Sequence, residues 1–366
     1  MWGEDMKKYF IVSLFMWLSA LQGADNTPFN NCYQDIIVNN MVLKRDMRDY
    51  EKRYDALKLI LNKYKRPITV LDLGAGHGYF SFRIANDYQS TCVMIEGNDR
   101  SSRMGDELLE LCHLNSKLQN IVLLKTKISL PDLEKLADCE HFDVVLAFDF
   151  INPEDAYAQR ITDAILRLGD NIFIESSLST DPTDQKSISM QKMDGYLQSK
   201  KGTTLLSMPC EINQKTQKKL SWFSLHKNGL RCHHFDLESK DSNLDSYRIE
   251  STFSHKYLFK KNSAGIAWLR GINLVTFLML EGAYPTRSQI KQSVFQASKQ
   301  HLTDFVPWNM IVQGHNIALI DQNDYAWRVH VDKSLQYAFD MIDQQSRQGV
   351  LEIFKQYRKR HIRKLK

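Results

Sequence analysis

The stretch Val70-Leu71-Asp72-Leu73-Gly74-Ala75-Gly76-His77-Gly78-Tyr79-Phe80 constrains this chain more than any other. An apolar run suited to a buried parallel strand ends in an acid and breaks into three closely spaced glycines. Tyr79 to Asn86 has the spacing of a helix that follows at once. Glycines at a strand-to-helix turn supply positive φ and let a ligand come close to the backbone. A second apolar run, Thr91-Cys92-Val93-Met94-Ile95, ends in Glu96 about twenty residues on. An acid at the tip of the second strand is placed to accept hydrogen bonds from a ribose diol. These features predict an α/β domain that binds a nucleoside.

Glycine turns serve several cofactors. Gly74, Gly76 and Gly78 give G-x-G-x-G, whereas a dinucleotide turn reads G-x-G-x-x-G, and no Lys-Ser or Lys-Thr follows as a P-loop requires. The spelling D-x-G-x-G-x-G resembles motif I of the class I S-adenosylmethionine-dependent methyltransferases. The resemblance covers residues 31–262 and implies S-adenosyl-L-methionine as the cofactor. It implies that Asp72, Gly74, Ala75, Gly76 and Gly78 line that cofactor, that Glu96 holds its ribose, and that Lys125 and Thr126 lie near its adenine.

Ile121–Leu124 reads as a third strand, Phe142–Asp149 as a fourth, Ala156–Leu168 as a helix ended by Gly169, and Asn171–Glu175 as a fifth strand. Strands alternating with helices imply a Rossmann-like, mostly parallel sheet with ligands beyond its carboxyl edge. Asp72, Glu96, Asp149 and Glu175 all fall at that edge. Asp149 is the candidate catalytic residue, with capping of the next segment as its other reading. His77 is read as a variable position of the turn, with contact to the cofactor carboxylate as its other reading. Ser176–Lys201 is expected to be a polar loop, and Leu220–Phe235 with Tyr247–Lys260 the final antiparallel hairpin of the sheet. No Asn-Pro-Pro-Tyr-like element follows strand four, and Pro209-Cys210 lies after strand five, so nucleic-acid methylation has no support. His233-His234 lack a second pair at ligand spacing, and no metal is expected.

Residues 263–366 are expected to form a small α+β appendage packed on by an apolar helix, Trp268–Leu280. Within it, His301-Leu302-Thr303-Asp304-Phe305-Val306-Pro307-Trp308-Asn309, followed by Ile317–Asp321, resembles the catalytic loop of the kinase-like phosphotransferases. That resemblance implies Asp304 as base and Asn309 and Asp321 as magnesium ligands. Leu302 stands where that family has His, Gln322-Asn323 replaces Phe-Gly, and too few residues precede the loop for a nucleotide lobe. The stretch is therefore read as a hairpin kept for structure or substrate binding.

Net charge is +5, but Arg358–Lys366 carries six positive charges and leaves the rest near −1. Lys7-Lys8, the apolar stretch Tyr9–Leu21 and Gln22-Gly23-Ala24-Asp25 have the order of a secretory signal or a membrane-contacting anchor over residues 1–25. This predicts a secreted or anchored protein, with a cytoplasmic one as the alternative because the cofactor is cytosolic. Six scattered cysteines form no dense disulfide framework. The function expected is methyl transfer to a small-molecule, glycan or protein acceptor. The alternatives are a binding protein that keeps the fold without catalysis and a bifunctional methyltransferase and phosphotransferase.

Overall fold

In a computed structural model, the described residues are 34–44, 50–98, 103–179, 185–209, 216–224, 233–235, 245–250, 256–262, 265–300, 307, 310–319 and 331–362. In chain order the first half runs β1 (Ile36–Val38), β2 (Met41–Lys44), α1 (Tyr50–Leu61), β3 (Thr69–Leu73), α2 (Tyr79–Tyr88), β4 (Thr91–Ile95), α3 (Met104–Leu114), β5 (Ile121–Leu124), α4 (Leu130–Cys139), β6 (Phe142–Ala147) and α5 (Ala158–Leu166). There follow β7 (Gly169–Ser179), α6 (Gln185–Ser199), β8 (Thr203–Pro209), β9 (Thr216–Ser224), β10 (His233–Phe235), β11 (Asp245–Glu250), β12 (Lys256–Asn262) and β13 (Gly265–Leu269). The chain continues as β14 (Ile272–Asn273), α7 (Leu274–Met279), β15 (Gly282–Tyr284), α8 (Arg287–Gln300), β16 (Met310–Val312), β17 (Ile317–Leu319), α9 (Val331–Asp343) and α10 (Arg347–Ile362).

The frame is an eight-stranded sheet in the order β15-β5-β4-β3-β6-β7-β9-β8. The five strands from β5 to β7 are parallel. Alternate residues of each strand face opposite layers. Val70, Cys92, Met94 and Val144 pack toward α1, α2 and α3, while Leu71, Leu73, Val93 and Val145 pack toward α4, α5 and the C-terminal helices. Burial on both faces is why these strands read as unbroken apolar runs. The chain is an α/β, Rossmann-like protein.

Three parts differ from the sequence expectation. The strands that close the sheet are β8 and β9, which lie before most of the stretch 220–260; β9 runs antiparallel between β7 and β8. Its apolar residues are interrupted by Lys218, Lys219 and Ser221, which hides the strand in the sequence. Strands β10 to β13 instead make a separate four-stranded sheet. Residues 185–199, expected in a loop, form α6, because Met190, Met193 and Leu197 supply a buried stripe at helical spacing within a polar sequence.

The third difference is at Trp268–Leu280, where the single helix is replaced by β13, β14 and the short α7. Gly271 interrupts it with φ +110° against the Val312 carbonyl, and the Asn273 side chain then caps α7 by accepting from the Val275 N–H. From there the C-terminal residues join the main body. Strand β15 pairs antiparallel with β5 at the sheet edge, and α7 sits in the same core as β3 to β6. Strands β16 and β17 pair antiparallel with each other. Asp304, Asn309 and Asp321, and residues 1–25, lie outside the described residues. Among the described residues no helix is long and apolar enough to cross a membrane.

Candidate cofactor and acceptor site

The strand order reverses between β3 and β6, the switch point at whose carboxyl edge open α/β sheets carry a ligand crevice. The glycine turn stands there. Gly74, Gly76 and Gly78 have φ of +71°, +59° and +77°, a region that side-chain-bearing residues rarely adopt. The Gly74 and Ala75 N–H groups donate to the Ile95 carbonyl at 2.9 and 3.2 Å, and Gly78 N–H returns to the Ala75 carbonyl at 2.9 Å. The turn is thereby fixed to the end of β4. A Cβ on Gly74 would lie 3.2 Å from the Phe150 ring, where the β3 and β6 loops meet.

Glu96 is half-buried and clamps the same turn. Its Oε2 accepts from Gly76 N–H at 2.8 Å and its Oε1 from Gly97 N–H at 3.0 Å. These two backbone contacts fix the carboxylate at the tip of β4. Asp72, at the end of β3, is only 3% exposed. Ser81 Oγ of α2 donates to it at 2.7 Å. Burial, together with the charge of Glu96, pushes its carboxyl up to about 7. His77 is fully buried, with Nε2 3.1 Å from Glu107 Oε2 of α3.

The start of α2 carries a residue that sequence reading missed. Gly78 is the N-cap and has no side chain to bind the first helical N–H groups. Gln34, just before β1, supplies that cap: its Oε1 accepts from His77 N–H at 3.1 Å and Tyr79 N–H at 3.2 Å. Across the crevice, Thr126 is half-buried in the segment after β5, and its backbone lies against Gly97, leaving no room there for a Cβ. Lys125 Nζ pairs with Asp106 at 2.9 Å.

A second group of charges lies at the ends of β6 and β7. Asp149 has φ +51°, unusual for a residue other than glycine, and its carboxylate is paired with Lys218 of β9. Lys218 Nζ is also 3.3 Å from Glu175, and buried Arg53 of α1 holds Glu175 at 2.6 Å. Burial and the charge of Asp149 push Glu175 up, against the pull of Arg53 and Lys218. Burial draws the Lys218 ammonium down, but the two carboxylates outweigh it and hold it above its ordinary value. The structure thus brings Asp149 and Glu175 together and adds two cations that no local motif marks. Among the described residues no group of three or more His, Cys, Asp or Glu is placed to hold a metal.

A mostly parallel sheet closed by an antiparallel hairpin, a glycine turn after its first parallel strand and an acid at the tip of the second are now in one frame. The fold is class I methyltransferase-like, an α/β, Rossmann-like sheet closed by an antiparallel hairpin. No family model and no curated protein matches the sequence. Among solved structures the chain is similar to the bifunctional kinase-methyltransferase WbdD, at 14% identity over 93% of this chain and 95% of that one, with a TM-score of 0.43. It is similar to the N-terminal domain of EvdMO1 with SAH bound, at 10% identity over 58% of this chain and 95% of that one, TM-score 0.40. An O-methyltransferase family protein from Burkholderia thailandensis matches at 14% identity over 48% of this chain and 57% of that one, TM-score 0.35.

Proposed function

We propose that the protein binds S-adenosylmethionine at the glycine turn and transfers its methyl group to an acceptor held near Asp149. The observation that carries this reading is the way the turn's own donors are used. Gly76 N–H is bound by Glu96, and the N–H groups of His77 and Tyr79 are bound by Gln34. A dinucleotide or P-loop site needs such donors for phosphate oxygens. Here three of them already face side-chain acceptors, one of them an anion, so the cradle suits a ligand without phosphates. A nucleoside carrying a thioether and an amino-acid group is such a ligand.

Glu96 would hold the ribose, Gly74 to Gly78 would underlie the amino-acid and sulfonium portion, and Thr126 would border the adenine. When bound, the cofactor supplies an electrophilic methyl group, and the chain's contribution is orientation and proton removal. Asp149 is the carboxylate on the acceptor side and would accept the proton of the attacking group. Lys218 and the Arg53–Glu175 pair fix its direction. The acceptor class stays open among small molecules, glycans and proteins, and the signal-like segment 1–25 is retained as a secretion or anchoring element.

Calorimetric titration of the full chain with S-adenosylhomocysteine and, separately, NAD tests the reading. Micromolar binding of the first and none of the second is expected. Binding of NAD alone, or of neither by folded protein, would overturn it.

A further inference from the structure

Gln34 does more than cap α2. The residue is only 5% exposed. Its oxygen is identified by the two backbone donors it meets, which fixes the amide's orientation. The Nε2 amide nitrogen therefore points the other way. It lies 2.9 Å from where a Cβ of Gly76 would be, directly over the middle of the turn, and among the described residues it has no hydrogen-bond partner. The position is not left to a loose chain end. Ile36, Ile37 and Val38 of β1 are buried in the core, and Asn115 of α3 clamps the strap by accepting from Asn39 N–H at 2.8 Å and donating to the Ile37 carbonyl at 2.9 Å.

A helix start ordinarily offers backbone N–H groups and the positive end of its dipole to an anion. In this chain an amide oxygen has taken two of those N–H groups and returns two donors of its own on the far side. The amide lies against the place a Cβ of Gly76 would take, so any side chain at that position would collide with it.

Resting on the S-adenosylmethionine reading above, we propose that Gln34 reads the amino-acid end of the cofactor, its Nε2–H donating to the carboxylate of the methionine portion. It is a binding residue and takes no part in the transfer. Discrimination between ligands with and without that carboxylate is then a property of the N-terminal strap and is independent of the ribose contact at Glu96.

The test is titration of the full chain and its Gln34→Glu and Gln34→Met variants with S-adenosylhomocysteine and 5′-methylthioadenosine, which shares the nucleoside and thioether but lacks the amino-acid end. In Gln34→Glu the substituted carboxylate still accepts from both backbone N–H groups, so the melting temperature of that variant should equal or exceed that of the parent. Its affinity for S-adenosylhomocysteine should fall tenfold or more, because a carboxylate now faces a carboxylate, while that for methylthioadenosine should change less than twofold. Gln34→Met, which removes the donor without adding charge, should show the same order of ligands with a smaller loss. Parent and variants binding S-adenosylhomocysteine equally, or losing both ligands in parallel, would overturn this inference alone. A parent that binds neither ligand would overturn the cofactor reading together with it.

Discussion

Ser81 and Asp72 are joined by a 2.7 Å hydrogen bond beneath the glycine turn, with the acid almost wholly out of solvent. The carboxyl is raised from 3.8 to about 7, so the folded protein binds its proton more tightly than the unfolded chain does. The stabilisation is full below the unfolded value and is lost as pH rises toward 7. Asp72→Asn keeps a polar partner for Ser81 and has no charge to bury. It should therefore be a few kcal/mol more stable than the parent at pH 8 and similar to it near pH 4. Melting temperatures of the two proteins across that range check this, and parallel curves would contradict it.

Glu96 binds two backbone N–H groups of the crevice and is the proposed ribose acceptor. Glu96→Ala removes a charged hydrogen-bond acceptor, which is worth about 1.5–3 kcal/mol, or on the order of 10- to 100-fold in affinity. Titration with S-adenosylhomocysteine should show that loss. An unchanged dissociation constant would place the ribose elsewhere.

The Arg53–Glu175 pair is buried on both sides, with 3% and 2% of the side chains exposed. Arg53→Met leaves an acid that Lys218 alone must compensate, and should cost about 3–5 kcal/mol. The double variant with Glu175→Gln should recover most of it, since no uncompensated charge remains. Urea unfolding of the four proteins of this cycle measures the coupling, and additive losses would contradict a shared ion pair.

Gly314 lies at φ +81°, with the Gln119 carbonyl oxygen 2.0 Å from where its Cβ would be. His315 N–H donates to the same carbonyl at 2.8 Å, and its ring is 2.7 Å from the Tyr284 hydroxyl of β15. This corner ties the β16–β17 hairpin to the turn before β5. Gly314→Ala should destabilise the whole molecule by about 2 kcal/mol or more, through backbone strain and the collision. Circular dichroism and tryptophan fluorescence should report one shifted transition. Two separated transitions would show that the C-terminal half unfolds alone.

The legible parts of this protein were those encoded locally. Strands β3 to β6 are buried on both faces, so their apolar runs are continuous, and the turn and Glu96 follow them at fixed spacing. Asp72 stood at the expected strand end, yet the direction of its side chain toward Ser81 depends on how α2 packs back. Gln34, Arg53 and Lys218 reach their partners across 43, 122 and 69 residues, and no spacing rule connects such positions. The hairpin β8–β9 was masked by lysines on its strands, which make ion pairs with Asp149 and Asp194. Lys218 thereby joins the Asp149–Glu175 group at the ends of β6 and β7.

In the proposed function the turn Gly74–Gly78 and Glu96 together form the cofactor cradle. Amide hydrogen exchange of the full chain, with and without saturating S-adenosylhomocysteine, tests it most directly. Added protection is expected in residues 74–79, 96–98 and 125–127, with the β16–β17 hairpin unchanged. Protection confined to the C-terminal half, or none at any of these segments, would contradict it.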